Sequence, residues 1–210
     1  MSASNQGVVN AVREPLPAAL ERLNIQYSGP LHVQLGASEN ALRRPATWSV
    51  PPTWKRASGG ILTLDEAPSV AGLGLELSNL PELDYGGWGL VEVEVLGRLE
   101  RLRLTLRGAG RLQFRGQVAE LAVELSGAGT VLLSGEARRL TLRTSGAGEV
   151  QAQHFRCAEL DLDAGGSGRC QVWVEQRLRL RPTGCREVAY SGWPQIEVVG
   201  AKAARLVNVN

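Results

Sequence analysis

The sequence predicts an all-β fold, a right-handed single-stranded parallel β-helix with coils of about 19 residues and capped ends. Three observations predict it: the tripeptide Gly-Ala-Gly recurs every 19 residues, apolar residues flank it at a spacing of two, and the polar residues between them alternate in charge. A repeat this short cannot bury its own apolar face, so several copies must stack into a solenoid. Parallel strands joined by crossovers are almost always right-handed.

The repeated glycines are interpreted as structural corners. A sharp bend between two flat faces favours a residue without Cβ, because only such a residue adopts positive φ at little cost. A phosphate-binding loop would instead need a helix after the glycines, and the strand pattern denies one. The corner positions are Gly108, Gly110, Gly127, Gly129, Gly146, Gly148, Gly166 and Gly168.

The apolar residues form columns when the coils are aligned on their first glycine. Within each flank these positions are two apart, which is the period of a strand with one buried face. Each column should stack inside the solenoid, with rungs about 4.8 Å apart. The clearest columns are Leu102, Leu121, Leu140, Leu160 and Leu178 before the corner, and Leu112, Val131, Val150, Cys170 and Val188 after it.

The outward-facing positions alternate in charge from coil to coil. Opposite charges on adjacent strands are stabilising and like charges repel, so the pattern favours one register. The two columns that show it are Arg101, Glu120, Arg139, Glu159, Arg177 and Thr105, Glu124, Arg143, Asp163, Arg181.

One acidic cluster lies within these columns, at Glu159, Asp161 and Asp163. It is the natural candidate for the carboxylates of a carbohydrate-cleaving enzyme. The register places an Arg or Thr above and below each carboxylate, and a carboxylate between guanidinium groups is a poor general acid. The interpretation is therefore structural, with no catalytic residues.

The two ends of the chain depart from the repeat. Residues 1–22 are expected to form an extension or cap, and residues 23–210 the β-helix domain, with a Trp- and Pro-rich loop projecting at 45–60. Tryptophan and cations are enriched at interfaces, so the candidate partner-binding residues are Trp48, Trp54, Lys55 and Arg56. The alternative is that both rings fold back onto the solenoid wall. Trp193 is expected to cover the last coil.

Composition and charge exclude several partners. The 23 Lys and Arg residues nearly balance the 21 Asp and Glu residues, and they form no run, so neither nucleic acid nor membrane insertion is expected. The three cysteines behave as small apolar residues, and their spacing from His32 and His154 makes neither a zinc site nor a cofactor site. No signal-peptide pattern is present, so the chain as given predicts a cytoplasmic protein, or an envelope or surface protein if a leader was removed.

The run from Leu77 to Gly192, with its repeated Ser-Gly-Ala-Gly at 126–129 and 145–148, resembles the bacterial putative auto-transporter adhesin, head GIN domain family. The segment Leu23 to Leu35 is similar to the start of that domain. The resemblance implies a right-handed parallel β-helix, usually in exported or envelope proteins, and it brings no catalytic residues with it.

Three functions are compatible with these patterns. The first is a non-enzymatic, adhesin-like binding or scaffolding domain that recognises a protein or glycan partner. The second is a cytosolic β-helical scaffold, of the bactofilin type, that forms homo-oligomers through its ends. The third is a β-helical enzyme acting on polysaccharide.

Overall fold

The computed structural model describes residues 11–46, 52–66, 72–200 and 205–209. This part of the chain is all-β, without a helix, and its strands belong to one sixteen-stranded sheet wound into a solenoid of about six turns. The strands are β1 (Ala11–Pro15), β2 (Arg22–Ile25), β3 (Leu31–Leu35), β4 (Ala41–Pro45), β5 (Thr53–Ala57), β6 (Ile61–Glu66), β7 (Leu73–Leu77), β8 (Glu82–Tyr85), β9 (Leu90–Gly108), β10 (Arg111–Gly127), β11 (Thr130–Gly146), β12 (Glu149–Ala164), β13 (Arg169–Pro182), β14 (Glu187–Ser191), β15 (Gln195–Val198) and β16 (Arg205–Asn208).

Strands β9 to β13 form the regular coils, one coil per strand. Each is parallel to the next, and equivalent residues of successive repeats lie opposite each other, as Leu121 and Leu140 do, apart from register shifts in the middle of the strands. We call the sheet made by the first halves of these strands, with β3, β7, β14 and β16, face A. The sheet made by their second halves, with β2, β6, β8 and β15, is face B. The predicted parallel β-helix is confirmed.

The predicted apolar columns line the interior. Their side chains in the regular coils are almost completely buried, and they lie directly above one another in the strand register. Fully burying one such leucine contributes roughly 1.5 to 3 kcal/mol. The leucine column continues into the last rung at Ile196.

The Gly-Ala-Gly corners need glycine for two different reasons. The first glycine of the motif has positive φ, for example 112° at Gly127. The second is close-packed instead: a Cβ on Gly129 would lie 2.7 Å from the carbonyl oxygen of Gly110 on the preceding rung. Each coil therefore bends where its backbone rests directly on the backbone of the coil below.

The N-terminal coils are stacked out of chain order. On face B, β2 lies between β6 and β8, and on face A, β3 lies between β7 and β9. The coil formed by β2 and β3 comes first in the chain, yet it is inserted between two later coils. Its side chains are as deeply buried as those of the regular coils, with Leu23, Ile25 and Val33 at 0% exposure.

The two ends of the solenoid differ. At the N-terminal end, antiparallel pairing closes the stack: β4 pairs with β1 and β7, and β5 pairs with β6. At the C-terminal end the described strands β15 and β16 are parallel additions, and the side chains that continue the interior columns, Ile196 and Val198, are 39% and 54% exposed. Trp193 is 84% exposed, so the expectation that it covers the core was wrong.

Candidate functional site

The segment expected to project as a loop contains a strand. Residues Thr53–Ala57 form β5, antiparallel to β6, with a turn at 58–60. Trp48 lies outside the described residues. The hairpin of β5 and β6 therefore carries the other three candidate residues, Trp54, Lys55 and Arg56.

The hairpin separates its tryptophan from its cations. Trp54 is half-buried and packs against the core, and its Nε1 is enclosed without a hydrogen-bond partner among the described residues. Lys55 and Arg56 are exposed to solvent. The ring of Trp54 thus anchors the hairpin to the solenoid wall, and the cations are presented outward.

A depression of about 590 Å³ lies on face B beside this hairpin. Its floor includes Ala122 and Thr141, and Gly59 and Ile61 of the hairpin border it. Ala122 and Thr141 lie opposite each other on β10 and β11, in an outward column that otherwise carries Arg103, Asp161 and Arg179. The short side chains of Ala122 and Thr141, between the larger ones of Arg103 and Asp161, leave the space of the depression.

Arginines form the walls of the depression, and most are held by carboxylates. Arg22 contacts Glu82 at 2.7 Å, and Arg101 contacts Glu120 at 3.4 Å. Arg139, the third wall residue, is held by Glu159 at 2.9 Å.

Arg103 differs from these arginines. It is exposed and lines the depression, and within the described part of the chain no carboxylate forms an ion pair with it. Its neighbours across the strands are Glu82, which is engaged by Arg22, and the small Ala122. The depression is therefore lined by one guanidinium group that forms no ion pair with a carboxylate of the described residues, and a guanidinium carries five N–H donors.

Sequence reasoning missed this depression. The signal was present: in the column that contains Arg103 and Asp161, two successive positions, Ala122 and Thr141, carry short uncharged side chains. The charge alternation predicts the strand register, whereas the short side chains of Ala122 and Thr141 indicate a hollow in the surface.

Two of the three carboxylates of the acidic cluster form ion pairs, and only that of Glu159 is with the arginine directly opposite it in the column. Glu159 accepts two hydrogen bonds from Arg139, at 2.9 and 3.2 Å, and Asp161 contacts Arg181 at 3.2 Å. Asp163 accepts a hydrogen bond from the hydroxyl of Thr183 at 3.4 Å. Glu159 and Asp161 are parts of the ladder of ion pairs on face B, and Asp163 is hydrogen-bonded to a hydroxyl.

The other chemically reactive residues do not converge. Among the described residues, no group of three His, Cys, Asp or Glu side chains is placed to hold a metal ion. His32 contacts Glu92 through Nδ1 at 3.6 Å. In the same described ranges there is no helix long and apolar enough to cross a membrane.

Two further tryptophans are more exposed than those singled out from the sequence. Trp88, in the first degenerate corner, is 75% exposed, and Trp193 is 84% exposed. Trp88 stands at the corner that joins β8 to β9, and Trp193 in the turn that joins β14 to β15. They lie on different corners and do not form one platform.

Comparison with known proteins gives a family and a fold. A family described as "Putative auto-transporter adhesin, head GIN domain" matches residues 61–194, more than half of the chain. No curated protein matches the sequence.

Several crystal structures share the fold over nearly the whole chain. A putative adhesin from Bacteroides fragilis superposes with a TM-score of 0.74 at 14% identity, covering 97% of this chain and 99% of its own. A putative adhesin from Parabacteroides merdae gives a TM-score of 0.66 at 14% identity, covering 98% of both chains. A putative lipid binding protein from Parabacteroides distasonis gives 0.65 at 15% identity, covering 97% of this chain and 98% of its own.

Proposed function

The chain belongs to the putative auto-transporter adhesin, head GIN domain family, and on that premise we propose that it is a non-enzymatic, adhesin-like binding domain for a protein or glycan partner. Solved structures of the same fold are described as putative adhesins. The acidic cluster supports a role without catalysis, because Glu159 and Asp161 are held in ion pairs and Asp163 by a hydroxyl. An envelope or surface location is part of this proposal.

The face B depression supports an acidic glycan as the partner. Four arginines, Arg22, Arg101, Arg103 and Arg139, line it together with apolar residues. Guanidinium groups pair with carboxylates through two parallel hydrogen bonds. The observation that carries the proposal is Arg103, whose guanidinium stands in the depression without a carboxylate among the described residues. Lys55 and Arg56 are exposed on the same hairpin whose turn residue Gly59 lines the depression.

The test is binding to immobilised uronic-acid oligosaccharides, with neutral oligosaccharides of equal length alongside. We expect binding to the acidic set that weakens at 0.5 M salt, and a loss of about tenfold in Arg103→Ala. Arg143→Ala is the matched control, because Arg143 is exposed on the same face but does not line the depression. The proposal fails if no acidic glycan binds, or if Arg143→Ala weakens binding as much as Arg103→Ala.

A second test concerns the hairpin. If Lys55 and Arg56 extend the same surface, the double variant Lys55→Ala/Arg56→Ala should weaken binding to the acidic glycan less than Arg103→Ala does, since neither cation lines the depression. An unchanged affinity of the double variant for the acidic glycan would show that the hairpin cations are not part of the binding site. Tight binding to phospholipid vesicles without glycan binding would instead favour lipid binding, the activity for which the structure from Parabacteroides distasonis is described.

The second candidate function is self-assembly through the C-terminal end. Ile196 and Val198 continue the interior columns on β15 and are partly exposed, so a second copy stacked on this end would bury them. Light scattering at increasing concentration should then show dimers or longer assemblies that Val198→Asp abolishes. Leu96→Asp is the control, because Leu96 is 47% exposed elsewhere on the solenoid. A monomer at all concentrations would exclude assembly.

A further inference from the structure

Two of the three cysteines lie close to the corner that joins β13 to β14. Cys170 is the first inward residue of β13, and Cys185 lies in the turn that leads into β14 on the next rung. The Cys185 thiol donates a hydrogen bond to the carbonyl oxygen of Gly168, two residues before Cys170, at 3.1 Å. Both are buried, at 2% and 6% exposure.

The surroundings of Cys185 show that it has replaced the small residue of a corner. Its Sγ lies 3.1 Å from the carbonyl oxygen of Gly168 and 3.3 Å from that of Glu187. Gly168 is the second glycine of the preceding corner, where a Cβ would meet the backbone of Gly148. The corner between β13 and β14 has the same length as the preceding one, since Pro182 pairs with Ala164 and Glu187 with Arg169, and at this corner the buried side chain is a thiol.

We propose that Cys170 and Cys185 are a dithiol–disulfide pair that locks the last rung of the solenoid to the one before it under oxidising conditions. The bond would close the loop of residues 171–184 and join β13 to the segment that begins β14. This is the end of the solenoid whose apolar residues Ile196 and Val198 are exposed, so the bond would restrain the part of the stack that has the fewest neighbours.

The reaction needs a two-electron oxidant, and a low-molecular-weight disulfide such as oxidised glutathione supplies it. The Cys185 thiolate attacks one sulfur of that disulfide, forms a mixed disulfide and releases one thiolate. The Cys170 sulfur, after losing its proton, attacks the Cys185 sulfur and displaces the second thiolate. Two protein thiols are oxidised, one disulfide is reduced, and the two protons end on the released thiols.

The electrostatics of the pair are consistent with this order of attack. A hydrogen bond from Cys170 to the Cys185 thiolate lowers the pKa of Cys185 to about 7, although burial opposes it. The pKa of Cys170 is raised, because its proton is held in the same hydrogen bond and its side chain is buried. Cys185 is thus the thiol that ionises first, and nucleophilic attack requires the thiolate.

Cys157 provides an internal control. It is buried in β12, donates a hydrogen bond to the carbonyl oxygen of Trp173 at 3.3 Å, and is not part of the pair. Burial raises its pKa to about 12, so it stays a thiol at neutral pH.

The experiment is incubation of the folded protein with oxidised glutathione at pH 8, followed by intact-mass measurement and tryptic mapping. Trypsin separates the three cysteines, because Cys157 falls in the peptide 157–169, Cys170 in 170–177 and Cys185 in 180–186. We expect a loss of about 2 Da, from the removal of two hydrogens on disulfide formation, and one cross-linked species that joins the second and third peptides. The oxidised protein should also unfold at a higher urea concentration, because the cross-link restricts the unfolded chain.

Variants make the result decisive. Cys157→Ser should keep the mass loss and the increased urea midpoint, whereas Cys185→Ser should lose both. A folded protein that keeps three free thiols under these conditions, or a disulfide that includes Cys157, would overturn the proposal. Pairing of Cys170 with Cys185 only after unfolding in urea would also overturn it, since the pair would then not be formed by the native corner.

Discussion

The regular coils of β9 to β13 and the N-terminal coils of β2 to β8 fill the same kind of interior but are ordered differently. In the regular coils each strand pairs with the strands just before and after it in the chain. In the N-terminal coils β2 and β3 are enclosed by strands that come later. Burial of apolar side chains is equally complete in both regions. Apolar alternation therefore selects the face that a strand buries, but it does not select its neighbours.

The two regions are also held at their corners by different contacts. Regular corners rest glycine backbone on glycine backbone, with hydrogen bonds such as Ala128 N–H to Gly108 O at 3.0 Å. In the N-terminal coils buried polar side chains take this role. Asn40 donates to the carbonyl oxygen of Ala18 at 3.1 Å and accepts from the N–H of Ser78 at 2.7 Å, which joins three segments distant in sequence.

The largest expected effect is a substitution at a bend of the regular coils. Gly135 has a φ of 124°, and a Cβ there would lie 1.9 Å from the carbonyl oxygen of Gly116. Gly135→Ala should lower the free energy of unfolding by about 4 kcal/mol, because the neighbouring backbone must move apart in addition to the cost of positive φ. Urea denaturation measures this.

Gly97→Ala is the matched control. Gly97 has a φ of 89°, but no atom of the described residues lies within 4 Å of the place that a Cβ would take, so only the conformational cost of about 1 kcal/mol remains. Equal losses in the two variants would show that backbone contact between rungs does not hold the bend.

The next prediction tests the inserted coil. Leu23 in β2 and Leu140 in β11 are 0% and 1% exposed, each with a leucine opposite on both neighbouring strands. Replacement of either by Ala should cost about 2 to 5 kcal/mol in the free energy of unfolding, because both leave a cavity between two rungs. A cost below about 1 kcal/mol for Leu23→Ala alone would mean that β2 lies at an end of the stack and not between β6 and β8.

A smaller effect is expected at a buried hydroxyl of the N-terminal coils. Tyr85 donates a hydrogen bond to the carbonyl oxygen of Tyr27 at 2.5 Å and accepts one from the N–H of Gly89 at 2.9 Å. Tyr85→Phe removes the hydrogen bonds to both backbone groups, and the free energy of unfolding should fall by about 1 to 3 kcal/mol. Tyr190→Phe on β14 is the control, since no hydrogen bond ties that hydroxyl to the described residues.

The same hydroxyl gives a pH dependence. Burial raises the pKa of Tyr85 above 10.0, so the folded protein favours the protonated phenol. Its contribution to stability is fully present below pH 10 and is lost as the pH rises through the folded-state pKa, because the unfolded state releases the proton first. The alkaline decrease in stability should be smaller in Tyr85→Phe than in the wild type, and an identical decrease would contradict this assignment.

The sequence was sufficient for the regular coils and insufficient for the rest, for a physical reason. Leu121, Leu140 and Leu160 recur together with glycine corners and alternating charges, and these three constraints agree on one register. Leu23 and Ile25 carry only the apolar alternation, which fits any rung. The candidate site was missed for a related reason, because Arg103 becomes distinctive only when its neighbours across the strands are known to be Glu82 and Ala122.

The smallest expected effect distinguishes the two regions by charge. Arg139 lies between Glu120 and Glu159 on adjacent rungs, whereas Arg22 has one carboxylate neighbour, Glu82, and an apolar one, Ile61. Arg139→Glu would place three carboxylates in succession and should lower the free energy of unfolding by about 1 kcal/mol, more than Arg22→Glu. Because these pairs are exposed, salt at about 1 M should reduce both losses. Urea denaturation at low and high salt measures both losses. A larger loss for Arg22→Glu than for Arg139→Glu would show that charge alternation along the regular coils contributes nothing beyond single ion pairs.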